Sequence, residues 1–232
     1  MESWVDLSHP LTDGMSSWSQ LPPPRITRPF VLGRDHANIT QLSLQVHSGT
    51  HVDAPCHFLA GAAGMDAIPV ERFMGNGWVC HVHRGRCEGI TAADLDQGAG
   101  GAMPGDSILL CTGYGRLFGN PEYYGEYPYL TGDAVEWLIR HRVNAIAVDT
   151  PTPDAPPPVR TPGFAYPAHK RLMAEDVLIV ENVNGRLEEL SGPVEVLFIP
   201  LAIVGSDGSP VRLLARSRAP VVGDRSGTVR RG

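Results

Sequence analysis

The sequence has few of the features that mark disulfide-rich, membrane-spanning or secreted proteins. Its 232 residues include only four cysteines, 7% aromatic residues and 19% charged residues. Four cysteines are too few to hold a chain of this length together by disulfides. No apolar run approaches the ~18 residues of a membrane span, and the N-terminus, MESWVDLSHPLTDGM, has no apolar stretch of signal-peptide length. These absences predict a cytoplasmic protein with no membrane partner.

Positive charge is also scarce, since the net charge is −6 and basic residues cluster only in RSGTVRR near the C-terminal end. Proteins that bind nucleic acids through phosphates need a basic surface, so no nucleic-acid partner is expected. Glycine and proline are abundant, with 26 and 21 residues, and the hydrophobic fraction is 42%. This composition predicts a loop-rich globular protein with a sizeable core. No repeat or internal domain boundary is visible, so residues 1–215 are interpreted as one domain and residues 216–232 as a C-terminal tail.

Apolar segments predict several strands. ITQLSLQVH (39–47) alternates between apolar and polar residues, which indicates a strand with one buried and one polar face. The remaining strand candidates are more continuously apolar and cover 77–83, 107–113, 144–150, 176–182 and 195–204.

Two helices are predicted between these strands. One opens at Thr91, with Asp94 three residues later as in a capping box, and the other covers 131–143 with Thr131 as the N-cap. Helices interspersed among strands indicate an α/β or α+β fold with a mixed sheet. The proline-rich segment 151–163 follows a predicted strand, and a loop in that position often forms part of a site.

The segment HSGTHVDAPCH (47–57) concentrates the ionisable side chains. His47, His51, Asp53 and His57 all stand at odd positions, so an extended chain would direct them to one face. A straight strand would separate the Cα atoms of His47 and His51 by ~13 Å, too far for two ligands of one ion. We therefore expect a bend at Gly49. Imidazole and carboxylate donors suit Zn²⁺, Mn²⁺ or Fe²⁺, and the alternative is an unrelated set of polar residues on a solvated edge.

The same segment resembles the signature H-x-G-T-H-x-D-x-P-x-H of the metal-dependent cyclase family, which includes bacterial kynurenine formamidases and isatin hydrolases. Further segments resemble other parts of that family: DLSHPLTDGMSSW, AVDTPTPD, PAHKRLM with VLIVENV, and GSDGSPVR. Together they extend over nearly the whole chain. The resemblance implies an α/β fold, a compact single domain with a mixed, barrel-like β-sheet flanked by helices. It also implies a homodimer or homotetramer.

The resemblance further implies a set of site residues. The metal ligands would be His47, His51, Asp53, His169 and Glu181. Asp53 and Glu181 would be able to bridge two ions, so the expected cofactor is one or two divalent ions, Zn or Mn. His57 corresponds to the catalytic acid/base, and Trp18 corresponds to an aromatic residue that lines the substrate pocket.

Three functions agree with these residues. The first is a metal-dependent hydrolase that cleaves a carbonyl C–N bond of an aryl formamide or cyclic amide, with metal-activated water and His57 as acid/base. The second is a cyclase, dehydratase or lactone hydrolase acting on a biosynthetic intermediate. The third is a non-catalytic metal-binding protein, against which His57 argues because metal binding alone does not require it. A small-molecule substrate is expected for the first two.

Overall fold

The computed structural model describes residues 3–18 and 20–218, which form twelve strands and three α-helices. The strands are β1 (Val5–Asp6), β2 (Arg25–Phe30), β3 (Ile39–Ser43), β4 (His51–Asp53), β5 (Met74–His81), β6 (Gly89–Ile90), β7 (Ser107–Cys111), β8 (Tyr129–Leu130), β9 (Ala145–Val148), β10 (Leu178–Glu181), β11 (Gly192–Pro200) and β12 (Gly208–Ser217). The helices are α1 (Ala92–Ala99), α2 (Gly132–Arg140) and α3 (Pro167–Ala174). The first two residues of the predicted tail, 216 and 217, belong to β12. Residues 219–232 of that tail lie outside the described residues.

Seven strands close into a mixed barrel, in the cyclic order β12, β11, β5, β7, β9, β10, β4. The short strand β4 closes the ring because it pairs with both β10 and β12. Strands β5, β7, β9 and β10 are parallel to one another, and the remaining pairs in the ring are antiparallel. A closed ring satisfies the backbone groups that would be unpaired at the edges of an open sheet. The predicted α/β class with a mixed, barrel-like sheet is confirmed.

Two apolar layers hold the barrel and its helices together. In β7, Leu109 packs into the barrel interior, whereas Ile108 and Leu110 pack against the helices on the outer face. Leu138 of α2 and Leu172 of α3 belong to that outer layer and are fully buried. Because β7 is covered on both faces, its sequence is continuously apolar rather than alternating.

The helix ends agree with the sequence patterns to different degrees. Thr91 and Asp94 form the predicted capping box at the start of α1, with the Thr91 N–H donating to the Asp94 carboxylate at 2.8 Å. Thr131 is the N-cap of α2, but its hydroxyl donates to the Ile90 carbonyl instead of capping the helix. The third helix, α3, follows Tyr166, whose own side chain does not cap it, so the local sequence carries no start signal apart from Pro167. None of the described helices is long and apolar enough to cross a membrane.

The predicted burial of the 39–47 strand is wrong. Strand β3 covers only Ile39–Ser43, pairs only with β2 among the described residues, and is exposed at all five positions. Leu42, on the apolar face of the alternating pattern, is 54% exposed. Alternation of apolar and polar residues indicates that one face of a strand is apolar, but burial of that face also requires a second layer packed against it. Within residues 3–18 and 20–218 no such layer covers β3.

Candidate metal centre and substrate cavity

Strand β4 carries two of the predicted ligands on one face. Val52 packs into the barrel interior, so its neighbours His51 and Asp53 project from the opposite, outer face. The pairing of β4 with β10 places Glu181 directly opposite His51. Asn182 follows Glu181 with φ 58° and ends the strand there, and its side-chain amide donates to the Gly49 carbonyl at 3.0 Å. The two carboxylates and the imidazole are therefore fixed by backbone register.

His47 reaches the same centre because the chain bends before β4. Gly49 has φ 63°, a conformation that glycine adopts without steric cost, and the predicted bend at this residue is confirmed. The adjacent strand β12 contributes Gly208, where a Cβ atom would lie 3.0 Å from Cε1 of His47. The absence of a side chain at Gly208 thus leaves room for the His47 ring.

His169 approaches from the other side, on α3. Its Nε2 lies 3.3 Å from Oδ2 of Asp53 and 3.1 Å from Oε1 of Glu181. The Nε2 atom of His51 lies 3.3 Å from the other oxygen of each carboxylate, Oδ1 of Asp53 and Oε2 of Glu181. Each carboxylate therefore offers one oxygen to each imidazole. Ligand atoms of His51, Asp53 and Glu181 lie within 4.8 Å of one another, close enough to hold a metal ion.

The spacing and the unpaired atoms of this cluster fit divalent metal ions. Two donors that are each about 2.0–2.2 Å from one tetrahedral ion lie about 3.3–3.6 Å apart, close to the observed distances. In the described chain, His51 Nε2, Asp53 Oδ2 and Glu181 Oε1 are buried without a hydrogen-bond partner. Buried polar atoms are almost always paired, so three unpaired ones at a single point indicate a missing type of partner, a cation.

The electrostatics of the cluster favour positive charge. Burial opposes ionisation of Asp53, but the neighbouring imidazoles of His169, His47 and His51 hold its pKa well below the usual range. Burial likewise opposes a charged His51, yet Asp53 and Glu181 outweigh it and raise the His51 pKa to about 10. Two carboxylates, 1% and 5% exposed, require positive charge beside them, and either protons on the imidazoles or a metal ion supplies it.

Asp154 was not singled out in the sequence, although it lies within the segment AVDTPTPD. Its Oδ2 accepts from Nδ1 of His169 at 2.6 Å, and its carboxylate also accepts from the backbone N–H groups of Ala168 and His169. Such a carboxylate fixes the imidazole so that Nε2 faces the metal position. The proline-rich loop therefore contributes Asp154, which orients the ring of His169.

Replacing Asp154 by asparagine is expected to weaken metal binding by roughly 10–100-fold, the usual effect of losing a residue that orients a metal ligand. Titration of the metal-free protein with Zn²⁺ or Mn²⁺ measures this affinity. Asp96→Asn on the exposed face of α1 is the matched control and should bind like the wild type. An unchanged affinity in Asp154→Asn would show that His169 does not depend on this contact for its function.

His57 lies beside the cluster, at the end of a 3₁₀ helix that begins at Pro55. Its Nδ1 is 3.2 Å from Oδ2 of Asp207, a residue that sequence reasoning did not assign although it lies within GSDGSPVR. Burial lowers the pKa of His57, while its side chain remains 28% exposed and open to a substrate. Ligand atoms of His47, Asp53 and His57 also lie within 4.8 Å of one another. The geometry therefore permits either an acid/base or a ligand role for His57.

A cavity of about 490 Å³ opens in front of these residues. Its polar lining includes four residues of the cluster, His47, His57, His169 and Glu181. Its other walls are mostly apolar and include Trp18, Leu21, Phe58, Pro157 and Tyr166. The structure thus places Trp18 in the cavity wall with the predicted ligands, and contact of Trp18 with a substrate stays a prediction.

Comparison with known proteins identifies one matching family and several structures of similar fold. The sequence profile of the family described as "Putative cyclase" matches residues 5–155. The fold is similar to that of isatin hydrolase A from Ralstonia solanacearum, with 26% sequence identity, a TM-score of 0.78, and coverage of 92% of this chain and 91% of that chain. It is also similar to isatin hydrolase A from Labrenzia aggregata bound to benzyl benzoate, with 22% identity, a TM-score of 0.82, and coverage of 92% and 93%. A third similar structure, described as a potential metal-dependent hydrolase with cyclase activity, has 24% identity, a TM-score of 0.76, and coverage of 95% and 100%.

Proposed function

The chain belongs to the cyclase family, and we propose that it is a metal-dependent hydrolase that cleaves the carbonyl C–N bond of an aryl formamide or a cyclic amide. The observation that carries this proposal is the convergence of unpaired buried donor atoms directly behind the wall of a cavity that Glu181 and His169 line. His51 Nε2, Asp53 Oδ2 and Glu181 Oε1 meet there, with the Nε2 atom of His169 next to the carboxylate oxygens. His57 lines the same cavity.

His47, His51, Asp53, His169 and Glu181 would hold one or two divalent ions, and their imidazole and carboxylate donors suit Zn²⁺ or Mn²⁺. A divalent ion bound there supplies Lewis acidity, which makes water nucleophilic at neutral pH and polarises a carbonyl oxygen. Asp53 and Glu181 offset the charge of the ions. Their negative charge and their fixed positions on β4 and β10 keep the donor atoms in place before substrate arrives.

His57 would move the proton that amide cleavage requires. Hydrolysis adds the oxygen of one water to the acyl carbon and breaks the C–N bond, and the leaving nitrogen departs poorly unless it is protonated. With the Nδ1 atom of His57 held by Asp207 at 3.2 Å, Nε2 is the atom left for this exchange with substrate. The products are a carboxylate and an amine, joined in one molecule when the substrate is cyclic.

The cavity wall favours a flat substrate. Trp18, Phe58 and Tyr166 present aromatic surfaces around a space of about 490 Å³, within the range of ordinary small-molecule sites. Aromatic rings stack on such surfaces in offset or edge-to-face geometry. Two of the similar proteins are named as isatin hydrolases, and isatin is a flat cyclic amide, which supports the same substrate class for this chain.

The test is a metal-reconstituted activity screen. We expect protein stripped by a chelator to be inactive, and Zn²⁺ or Mn²⁺ to restore hydrolysis of N-formylkynurenine, isatin or a related amide. The same ions should raise the melting temperature, because an ion at 100 times its Kd stabilises the folded state by about 2.7 kcal/mol. Turnover of simple lactones with no turnover of amides would favour the lactone hydrolase instead. Metal-independent turnover, or no thermal shift with either ion, would contradict the proposal.

A further inference from the structure

Among the described residues that line the cavity, Arg160 is the one arginine or lysine. It lies on the proline-rich loop, after a short 3₁₀ helix at Pro157–Val159, and its side chain is half-buried. None of the chemistry described above uses it. A cation in the wall of a substrate cavity is a candidate for recognising an anionic group.

The guanidinium is held in place by groups that carry no negative charge. Its Nε donates to the Ala155 carbonyl at 2.8 Å. Its Cζ lies 4.5 Å from the centre of the Phe164 ring and 5.3 Å from that of Tyr166, both within cation–π range. Among the described residues no carboxylate forms an ion pair with Arg160. The phenol of Tyr127 is a further neutral neighbour of the guanidinium. Without an anionic partner, Arg160 keeps its capacity to bind a planar anion through the parallel bonds that favour arginine over lysine.

An aromatic wall connects Arg160 with the metal centre. The ring of Tyr166, beneath the guanidinium, lies 5.1 Å from the ring of Phe58. The Phe58 ring in turn lies 4.6 Å from the ring of His169 and 4.4 Å from that of His57. These contacts join the guanidinium of Arg160 to His57 and His169 through one continuous aromatic surface, on which a flat molecule can rest.

We infer that Arg160 binds a carboxylate of the substrate at the end opposite the scissile carbonyl, so that the substrates are acidic amides. This inference rests on the proposed function, because the orientation of the substrate depends on where the carbonyl is attacked. A carboxylate fits better than a phosphate because Arg160 is the one arginine or lysine in the described lining and presents a planar pair of donors.

The experiment compares three probes that share one metal-binding group: benzohydroxamate, 3-carboxybenzohydroxamate and 4-carboxybenzohydroxamate. Their affinities for the metal-loaded protein are measured by calorimetry. A charge-assisted pair with Arg160 should make at least one carboxylated probe bind about 10–100-fold more tightly than benzohydroxamate. In Arg160→Met this preference should disappear while the affinity for benzohydroxamate changes by less than about twofold. Arg160→Lys should keep part of the preference, because the charge remains but the planar fork is lost.

Arg28→Met is the matched control, since Arg28 is exposed on β2 and away from the cavity lining. It should keep the full preference. Equal binding of all three probes by the wild type, or an undiminished preference in Arg160→Met, would overturn the assignment of Arg160. Failure of benzohydroxamate to bind, with a preference for the carboxylated probes that still depends on Arg160, would contradict the metal centre and leave the anion site supported. The two proposals therefore fail in different ways.

Discussion

Replacing Asp53 by asparagine is expected to remove metal binding and hydrolysis together. Asp53 is 1% exposed and presents one oxygen to His51 and the other to His169, so the proposed centre loses the carboxylate that both imidazoles share. Changes to residues that merely orient a ligand cost roughly 10–100-fold in affinity or activity. Loss of a shared carboxylate should therefore lower kcat/KM by more than about 10³-fold.

The measurement combines elemental analysis of the purified protein with thermal melting in the presence of Zn²⁺ or Mn²⁺. Wild-type protein should contain the metal and melt at a higher temperature when it is added, whereas Asp53→Asn should show neither effect. Glu71→Gln, a neutralised carboxylate on the exposed surface, is the control for charge alone and should behave like the wild type. Equal metal content in Asp53→Asn and wild-type protein would refute the ligand role of Asp53.

The second large effect is expected for His57→Ala, in which metal binding is retained and kcat falls. A general acid or base typically contributes ~10²–10⁴-fold to the rate, and we expect a loss in that range. His57 is held by Asp207 and is more exposed than the buried donors, with 28% of its side chain accessible. The loss should be smaller for substrates with good leaving groups, because such groups depart without a proton.

The competing role for His57 is that of a ligand, since its ring nitrogen lies near ligand atoms of His47 and Asp53. Metal affinity and single-turnover rates of His57→Ala and His51→Ala separate the two roles. An acid/base His57 predicts a slow chemical step with near-normal metal affinity, whereas His51→Ala should lose the metal. His36→Ala serves as the control, because His36 is exposed and lies in the loop between β2 and β3. Parallel loss of metal in His57→Ala and His51→Ala would assign His57 to the coordination shell.

Much of the centre was predictable because its chemistry is concentrated in one short segment. His47, His51, Asp53 and His57 fall within eleven positions, and the bend at Gly49 follows from the reach that two ligands of one ion require. Family resemblance added His169 and Glu181 from distant parts of the chain. The structure brings His169 to the carboxylate of Asp53 and Glu181 to the imidazole of His51, its partner across the β4–β10 pair. Their roles as ligands stay predictions until metal is measured.

Residues that act through the surrounding fold were not predictable. Asp154 orients His169, Asp207 contacts His57, and Arg160 lines the cavity, yet none has a local pattern that distinguishes it from other polar residues. Asp154 and Asp207 lie in segments that resemble the family, but the resemblance did not reveal their contacts. A hydrogen bond between residues about 150 positions apart, such as that of His57 and Asp207, depends on which strands become neighbours.

The class of fold, the family and the donor types of the candidate metal centre were readable from the residues alone, because periodicity and a dense local motif express geometry within a few residues. Which surfaces are buried and which side chains meet depends on the folded chain. β4 lies between β10 and β12 in the closed barrel, and this pairing sets His51 opposite Glu181 and Asp53 beside Gly208. Strand β3 has the apolar alternation of a half-buried strand, yet it is exposed because no described layer packs on it. Strand order is a property of the whole chain, since each pairing competes with all the others for closure of the ring.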